Sequence, residues 1–109
     1  MCGIAGFIGG ETFDEQESCR VYLKDMNEAL THRGPDSDGY WLDLSRKVAF
    51  GHRRLAIVDL SSAGHQPMTS GSDRYVITYN GEIYNSDKIR EELTKSQLVE
   101  NWRGHSDTE

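Results

Sequence analysis

Cys2 stands directly behind the initiator Met1, in the opening Met1-Cys2-Gly3, and it has more chemistry to offer than any other residue of the chain. Cysteine is small enough for the methionine ahead of it to be removed. As the new N-terminus, Cys2 would carry both a thiol nucleophile and a free α-amine. An α-amine titrates at roughly 7.7–8.0, so a useful fraction is unprotonated at neutral pH. It can take the thiol proton directly or through a water, the logic of an N-terminal threonine nucleophile carried over to sulfur. A cysteine at position two also occurs with no catalytic purpose. The assignment therefore depends on what the rest of the chain supplies.

A thiol attacking an amide or ester needs two donors for the oxyanion, each worth about 3–4 kcal/mol of transition-state stabilisation. It also needs a grip on the substrate that sets the carbonyl against the sulfur. Asn80-Gly81 can provide the donors, one from the Asn carboxamide and one from a glycine N–H that no Cβ shields. The competing reading of the same dipeptide is an ordinary hairpin turn. For the grip, fixed charges sit in the loops: Arg33 in His-Arg-Gly-Pro-Asp, Arg53 and Arg54 after an apolar strand, and Glu82 and Asp107 in later turns. An arginine clamps a carboxylate bidentately and a nearby acid binds an ammonium, so such a set could recognise a free amino acid. Any one of these charges read alone is a solvated surface group.

Other chemistries find less support. There is no phosphate-binding Gly-x-x-x-x-Gly-Lys-Ser/Thr loop, and Gly6, Gly9 and Gly10 do not fit the dinucleotide spacing. His32, His52, His65 and His105 are too scattered to propose a metal site. His32 and His52 read as structural support near the site. Cys2 and Cys19 are too few for a disulfide scaffold. A net charge of -6 argues against nucleic acid and anionic membranes as partners. No apolar run approaches the roughly 18 residues of a membrane span, and no signal peptide is visible, so cytoplasm is the expected location.

These residues must be positioned by a small α+β domain. Gly3–Ile8 reads as a buried strand that starts at the nucleophile. Residues 14–30 turn helical, with Leu23, Met26 and Leu30 forming a stripe that Tyr22 and Ala29 widen. Thr12-Phe13-Asp14-Glu15 could cap this helix, and Cys19 reads as a buried structural cysteine. Residues 31–39 read as a loop, 40–42 and 48–52 as strands about a turn near 45–47, and 75–79 as a β-branched and aromatic strand. A short helix, capped by Asn85 or Ser86, follows with Ile89 and Leu93 as its apolar positions. The terminal Ser106-Asp107-Thr108-Glu109 reads as the opening of a further helix, which makes a truncated domain the expectation. Hydrophobic residues are 36% of the chain and mean hydropathy is -0.67, low for a self-sufficient core of 109 residues.

Six blocks then carry a resemblance: Met1-Cys2-Gly3-Ile4-Ala5-Gly6, His32-Arg33-Gly34-Pro35-Asp36, the run from His52 to Asp59, Gln66-Pro67-Met68, the run from Tyr79 to Asn85, and Ser106-Asp107-Thr108-Glu109. In this order they resemble the glutaminase domain of the B-type asparagine synthetases. These are class II glutamine amidotransferases of the N-terminal nucleophile hydrolase fold, an αββα sandwich. Phosphosugar and phosphoribosyl-pyrophosphate amidotransferases begin similarly, but carry a Trp-Ala-Thr-His-Gly-like segment where this chain has His52-Arg53-Arg54-Leu55.

The resemblance implies that Cys2 attacks the side-chain amide of L-glutamine to form a glutamyl thioester, with Asn80 and the Gly81 N–H as oxyanion hole. It further implies Arg54 as the clamp on the α-carboxylate and Glu82 and Asp107 as ligands of the α-ammonium. Backbone near Ile57 and Val58 would line the pocket, and Arg33 would order the site. No cofactor is expected in this chain, and ATP and Mg²⁺ are expected only in a C-terminal synthetase domain that lies outside residues 1–109. The family's glutaminase domain is nearly twice as long. A partial sandwich would expose sheet edges and an apolar face, so pairing with another copy or another chain is expected. The alternatives are a truncated non-catalytic module, and a parent enzyme that amidates a carbohydrate or other acceptor.

Overall fold

A computed structural model of the chain describes residues 1–57 and 59–109. β1 (Gly3–Ile8) leads through a 3-10 turn (Glu11–Asp14) into α1 (Gln16–Ala29). β2 (Ser37–Asp43) and β3 (Val48–Arg54) form a hairpin. β4 (Met68–Thr69), β5 (Val76–Ile77) and α2 (Ser86–Lys95) complete the order. The first three strands make an antiparallel sheet in the order β1-β3-β2, with Gly3 opposite Arg53 and Gly39 opposite His52. β4 and β5 form a separate antiparallel ladder. Among the described residues, no helix is long and apolar enough to cross a membrane.

Side chains of a strand alternate between faces, and this sheet uses its faces differently. The inner face, under α1, carries Ala5, Phe7, Leu42 and Ala49. Phe7, Leu42 and Ala49 close a core with Phe13, Cys19 and Leu23, in which the rings of Phe7 and Phe13 lie 5.1 Å apart. Helix and sheet approach closely because position 51 is glycine. A Cβ there would sit 2.9 Å from Asn27 Oδ1 and 3.2 Å from Leu23 Cδ1. The outer face carries Ile4, Ile8, Trp41, Phe50 and His52. Thr78, the residue after β5, meets this face at its His52 end, where His52 Nδ1 lies 2.9 Å from Thr78 Oγ1.

Four expectations change on this frame. β1 is half-buried rather than buried, since Ile4 and Ile8 are 43% and 75% exposed on the face that α1 does not cover. The buried line of α1 is Cys19-Leu23-Asn27, a four-residue spacing, whereas Met26 and Tyr22 face solvent. Asn27 belongs there because its Nδ2 donates to the carbonyls of Gly39 and His52, both at 3.3 Å. No capping box forms at α1. Glu15 is the N-cap without a side-chain bond to the backbone, and its carboxylate accepts from the Ser18 hydroxyl instead. The strand expected over 75–79 shrinks to Val76–Ile77, because Thr78 and the Tyr79 N–H turn to side-chain partners, His52 and Gln66.

The segment 101–109 is a series of turns rather than an opening helix. Ser106 still acts as a capping residue acts, its Oγ accepting from the Thr108 N–H at 3.2 Å. Arg90 of α2 secures the segment. It donates to the carbonyls of Gly104 (2.9 Å) and Ser106 (2.7 Å), and its guanidinium lies 4.3 Å from the Trp102 ring centre.

Candidate functional site

A cleft of about 280 Å³ opens where the start of β1, the end of β3 and the loops after β5 meet. Cys2, Arg54, Asn80, Gly81, Glu82 and Asp107 all line it. Ile57, Asp59, Gly64, Tyr79 and Ser106 contribute the rest of its wall together with Met1 and Leu55. Residues from the two ends of the chain, Cys2 and Asp107, thus converge on one surface.

Cys2 is half-buried, and its sulfur is held by one backbone unit. The Leu55 N–H donates to Sγ at 3.3 Å, and the thiol faces the Leu55 carbonyl at 3.6 Å. Leu55 is itself placed by the Gly34-Pro35-Asp36 turn. The Asp36 N–H donates to the Arg54 carbonyl at 3.0 Å, and Asp36 Oδ2 accepts from the Ala56 N–H at 2.8 Å. Asp36 was not among the residues marked for the site, although it closes the motif that contains Arg33.

The two arginines that end β3 part company. Arg53 points to the inner side and donates from Nε to the Gly34 carbonyl at 3.0 Å. Arg54 enters the cleft, where Nη1 donates to the Ser61 carbonyl at 2.8 Å and Nη2 to the Asp59 carbonyl. Two of its five N–H donors fix the guanidinium against the loop. Gly64 leaves room for it, since a Cβ there would collide with Arg54 Nη2. Asp59 anchors the same loop. Its carboxylate accepts from the Ser61 N–H (2.7 Å) and the His105 N–H (2.9 Å). Hydrogen bonds from the Ser61 side chain and from these N–H groups, with the charge of Arg54, bring it down to about 2.

Asn80-Gly81 is not a hairpin turn. A type I′ turn needs positive φ at both central residues, and the positive-φ positions among the described residues are Lys47, Asp73, Gln97, Gly9 and Gly10. The dipeptide instead bends from β5 toward α2 along the wall of the cleft. Position 81 has its own reason to be glycine, since a Cβ would lie 2.5 Å from the Tyr79 hydroxyl. Glu82 follows on the exposed side. Asp107 faces the same loop, its Oδ2 accepting from the Ile83 N–H at 2.7 Å. Glu109 supports the turn before it, accepting from the N–H groups of Arg103 and Gly104 at 2.6 and 3.0 Å. Burial works against the charge on Glu109, but these bonds hold its carboxyl below the usual range.

Two residues marked in the sequence stand apart. Arg33 is exposed in the turn after α1 and does not line the cleft. Val58 lies outside the described residues. His52 is 1% exposed; burial, with the charges of His65 and Arg54, pushes it down to about 4, so it is neutral at neutral pH. His32 is exposed. Among the described residues no group of three His, Cys, Asp or Glu side chains is arranged to hold a metal ion. The supports supplied by Asp36, Gln66 and Arg90 were not marked in the sequence, because each works through a backbone partner that residue type does not reveal.

The sequence profile of the glutamine amidotransferase domain matches residues 1–109, the whole chain. The chain belongs to this family. The glutamine amidotransferase domain is also found here in the company of named relatives. Glutamine-hydrolysing asparagine synthetase 1 of Bacillus subtilis (strain 168) is 43% identical over 93 residues, covering 85% of this chain and 14% of the relative. Asparagine synthetase 3 of the same organism is 40% identical over 116 aligned positions, covering 100% of this chain and 17% of the relative. Asparagine synthetase 1 of Arabidopsis thaliana is 38% identical over 93 residues, covering 85% and 15%. This amidotransferase domain therefore spans only 14 to 17% of the length of these relatives. No solved structure matches it.

Proposed function

We propose that this chain hydrolyses L-glutamine to glutamate and ammonia through a thioester on Cys2, once Met1 has been removed. One observation carries the reading: a single cleft is lined by the Cys2 thiol, by Asn80 and Gly81, by an arginine and by two acids. The freed α-amine of Cys2 takes the thiol proton, and Sγ attacks the side-chain carbonyl carbon of glutamine. Negative charge then develops on the carbonyl oxygen, where the Asn80 carboxamide and the Gly81 N–H donate to it. Collapse of this intermediate breaks the carbon–nitrogen bond. The amine returns its proton to the leaving nitrogen, and ammonia departs. Water, deprotonated by the same amine, attacks the thioester and releases glutamate and the thiol. Arg54 binds the α-carboxylate, while Glu82 and Asp107 bind the α-ammonium, so the amino acid is held by the groups that do not react.

The same reading places the chain as the N-terminal part of an N-terminal nucleophile hydrolase sandwich in the cytoplasm. Support for the fold comes from α1 on one face of the first sheet and from Thr78, just past β5, meeting His52 on the other. In the parent enzyme the ammonia would pass to a synthetase domain that uses ATP and Mg²⁺. The exposed outer face of the first sheet would pair with a second copy of the chain.

The test is glutamate release from L-glutamine by the purified chain, with the N-terminal mass determined alongside. Turnover that requires a processed Cys2 and disappears in Cys2→Ala is the expected result. A folded, processed chain without turnover would overturn the reading. Because Met1 lines the cleft and its peptide bond occupies the amine, a chain that keeps Met1 is expected to be inert.

A further inference from the structure

We infer that Gln66 is a positioning residue that couples the two halves of the cleft, the oxyanion loop and the acid that receives the substrate ammonium. Gln66 is 8% exposed and lies on no cleft wall, yet both ends of its carboxamide are engaged by segments that are. Its Oε1 accepts from the Tyr79 N–H at 2.6 Å, directly before Asn80-Gly81. Its Nε2 donates to Thr108 Oγ1 at 3.1 Å, directly after Asp107. The side chain thus spans two segments whose own contact is the Asp107–Ile83 bond. Burial makes both bonds costly to lose, since an unpaired amide or hydroxyl left behind forfeits its hydration without a replacement partner.

The location of Gln66 supports the same role. Its carbonyl oxygen packs where a Cβ at Gly39 would stand, so the segment is pressed against β2 of the first sheet. Met68, two residues on, is 5% exposed and pairs with Ile77 in the β4-β5 ladder. The carboxamide is therefore presented from a rigid seat. A displacement at position 66 would move Asn80-Gly81 against Cys2 and Asp107 against Arg54 together.

This inference rests on the proposed glutaminase reading for its kinetic consequences, and the test separates the two. Gln66→Met, close in volume but without hydrogen bonds, is expected to lower kcat at least ~10-fold and to raise KM for L-glutamine, since both anchors are lost. Thr108→Val removes only the arm toward Asp107, so KM should rise several-fold while kcat stays within about twofold. Gln66→Glu keeps an acceptor for the Tyr79 N–H and can accept from the Thr108 hydroxyl, so it should recover most of the activity. Wild-type kinetics in Gln66→Met, or no recovery in Gln66→Glu, would overturn the role.

Amide NMR of the full chain decides the matter even without turnover. Thr108→Val should shift the Asn80 and Gly81 resonances in the wild-type background and leave them in place in Gln66→Met. Equal shifts in both backgrounds would mean that the coupling runs through the Asp107–Ile83 contact instead, and Gln66 would lose its role. Absence of glutaminase activity with an intact NMR cycle would overturn the reading of the site while leaving the coupling standing.

Discussion

Leu55 offers Cys2 both of its backbone polar groups, an N–H at 3.3 Å and a carbonyl at 3.6 Å from Sγ. The nucleophile's position is therefore only as good as that of the strand end that follows Arg54. Asp36 sets this strand end through the Ala56 N–H. Asp36→Ala is expected to lower kcat for glutamine hydrolysis by about tenfold, the order of loss that follows from a small misplacement of reacting atoms. Asp36→Asn retains an acceptor oxygen and should keep most of the rate. The measurement is glutamate release, with iodoacetamide alkylation of Cys2 as a check independent of substrate. Equal rates in Asp36→Ala and wild type would remove this link.

Arg54 is held by the Ser61 and Asp59 carbonyls before any substrate arrives, so its remaining N–H groups need no ordering when a carboxylate binds. Arg54→Ala should raise KM for L-glutamine by about 30-fold or more, the equivalent of roughly 2 kcal/mol for a buried hydrogen-bonded charge pair. Gly64→Ala should raise KM in the same direction without touching a charge, because its methyl would occupy the space of Arg54 Nη2. Steady-state kinetics over a range of glutamine concentrations reads both. An unchanged KM in Arg54→Ala would exclude the clamp role.

Which of these relationships could be read before folding follows from what each residue does. Residue type offers Arg33, Arg53 and Arg54 alike as a clamp; the resemblance singles out Arg54 beside Cys2, Asn80-Gly81, Glu82 and Asp107, and the cleft gathers all of these. Gln66 and Asp36 act on backbone N–H groups far away in sequence, and a lone polar residue in a loop carries no sign of that. The helix stripe illustrates a second limit. Hydrophobicity nominated Met26 and Leu30, but the sheet presents paired carbonyls at Gly39 and His52, and these call for the amide of Asn27. The Asn-Gly dipeptide shows the reverse case. Its usual meaning is a turn that needs positive φ, and the fold uses it without that conformation.

Stability should depend on pH through His52 and Asp59. His52 in the folded chain is pushed down to about 4, below the roughly 6.5 of an unfolded histidine. Between those values the unfolded state binds more protons, so stability is full above about pH 6.5 and falls as the pH drops toward 4. A shift of that size corresponds to at most about 3 kcal/mol, and on the order of 2 kcal/mol after solvent screening. Asp59, brought down to about 2, adds stability above its unfolded value of about 4 that is lost as pH falls through 2. Urea melts at pH 7, 5 and 3.5 should show this decline in wild type. His52→Gln should flatten the decline between pH 6.5 and 4 and leave the lower window intact. An identical slope in His52→Gln would assign the loss to other groups.

Ile4 and Ile8 project from the sheet face that α1 leaves uncovered, beside the Trp41 and Phe50 rings stacked 5.8 Å apart. The β4-β5 ladder stops short of them, so the apolar strip along β1 and the middle of β3 stays open to solvent. A strip of this kind marks an association surface or an aggregation risk, and β1 is also an edge strand with one unpaired backbone side. Pairing of two copies through this face would cover both features at once. Sedimentation equilibrium is expected to show a dimer whose population grows with concentration. Ile8→Lys places a charge at the exposed end of the strip without disturbing the α1 side of the sheet, and it should shift the equilibrium to monomer while the circular dichroism spectrum is preserved. A wild-type chain that stays monomeric at high concentration, or an Ile8→Lys chain that dimerises as wild type does, would exclude this face as the contact.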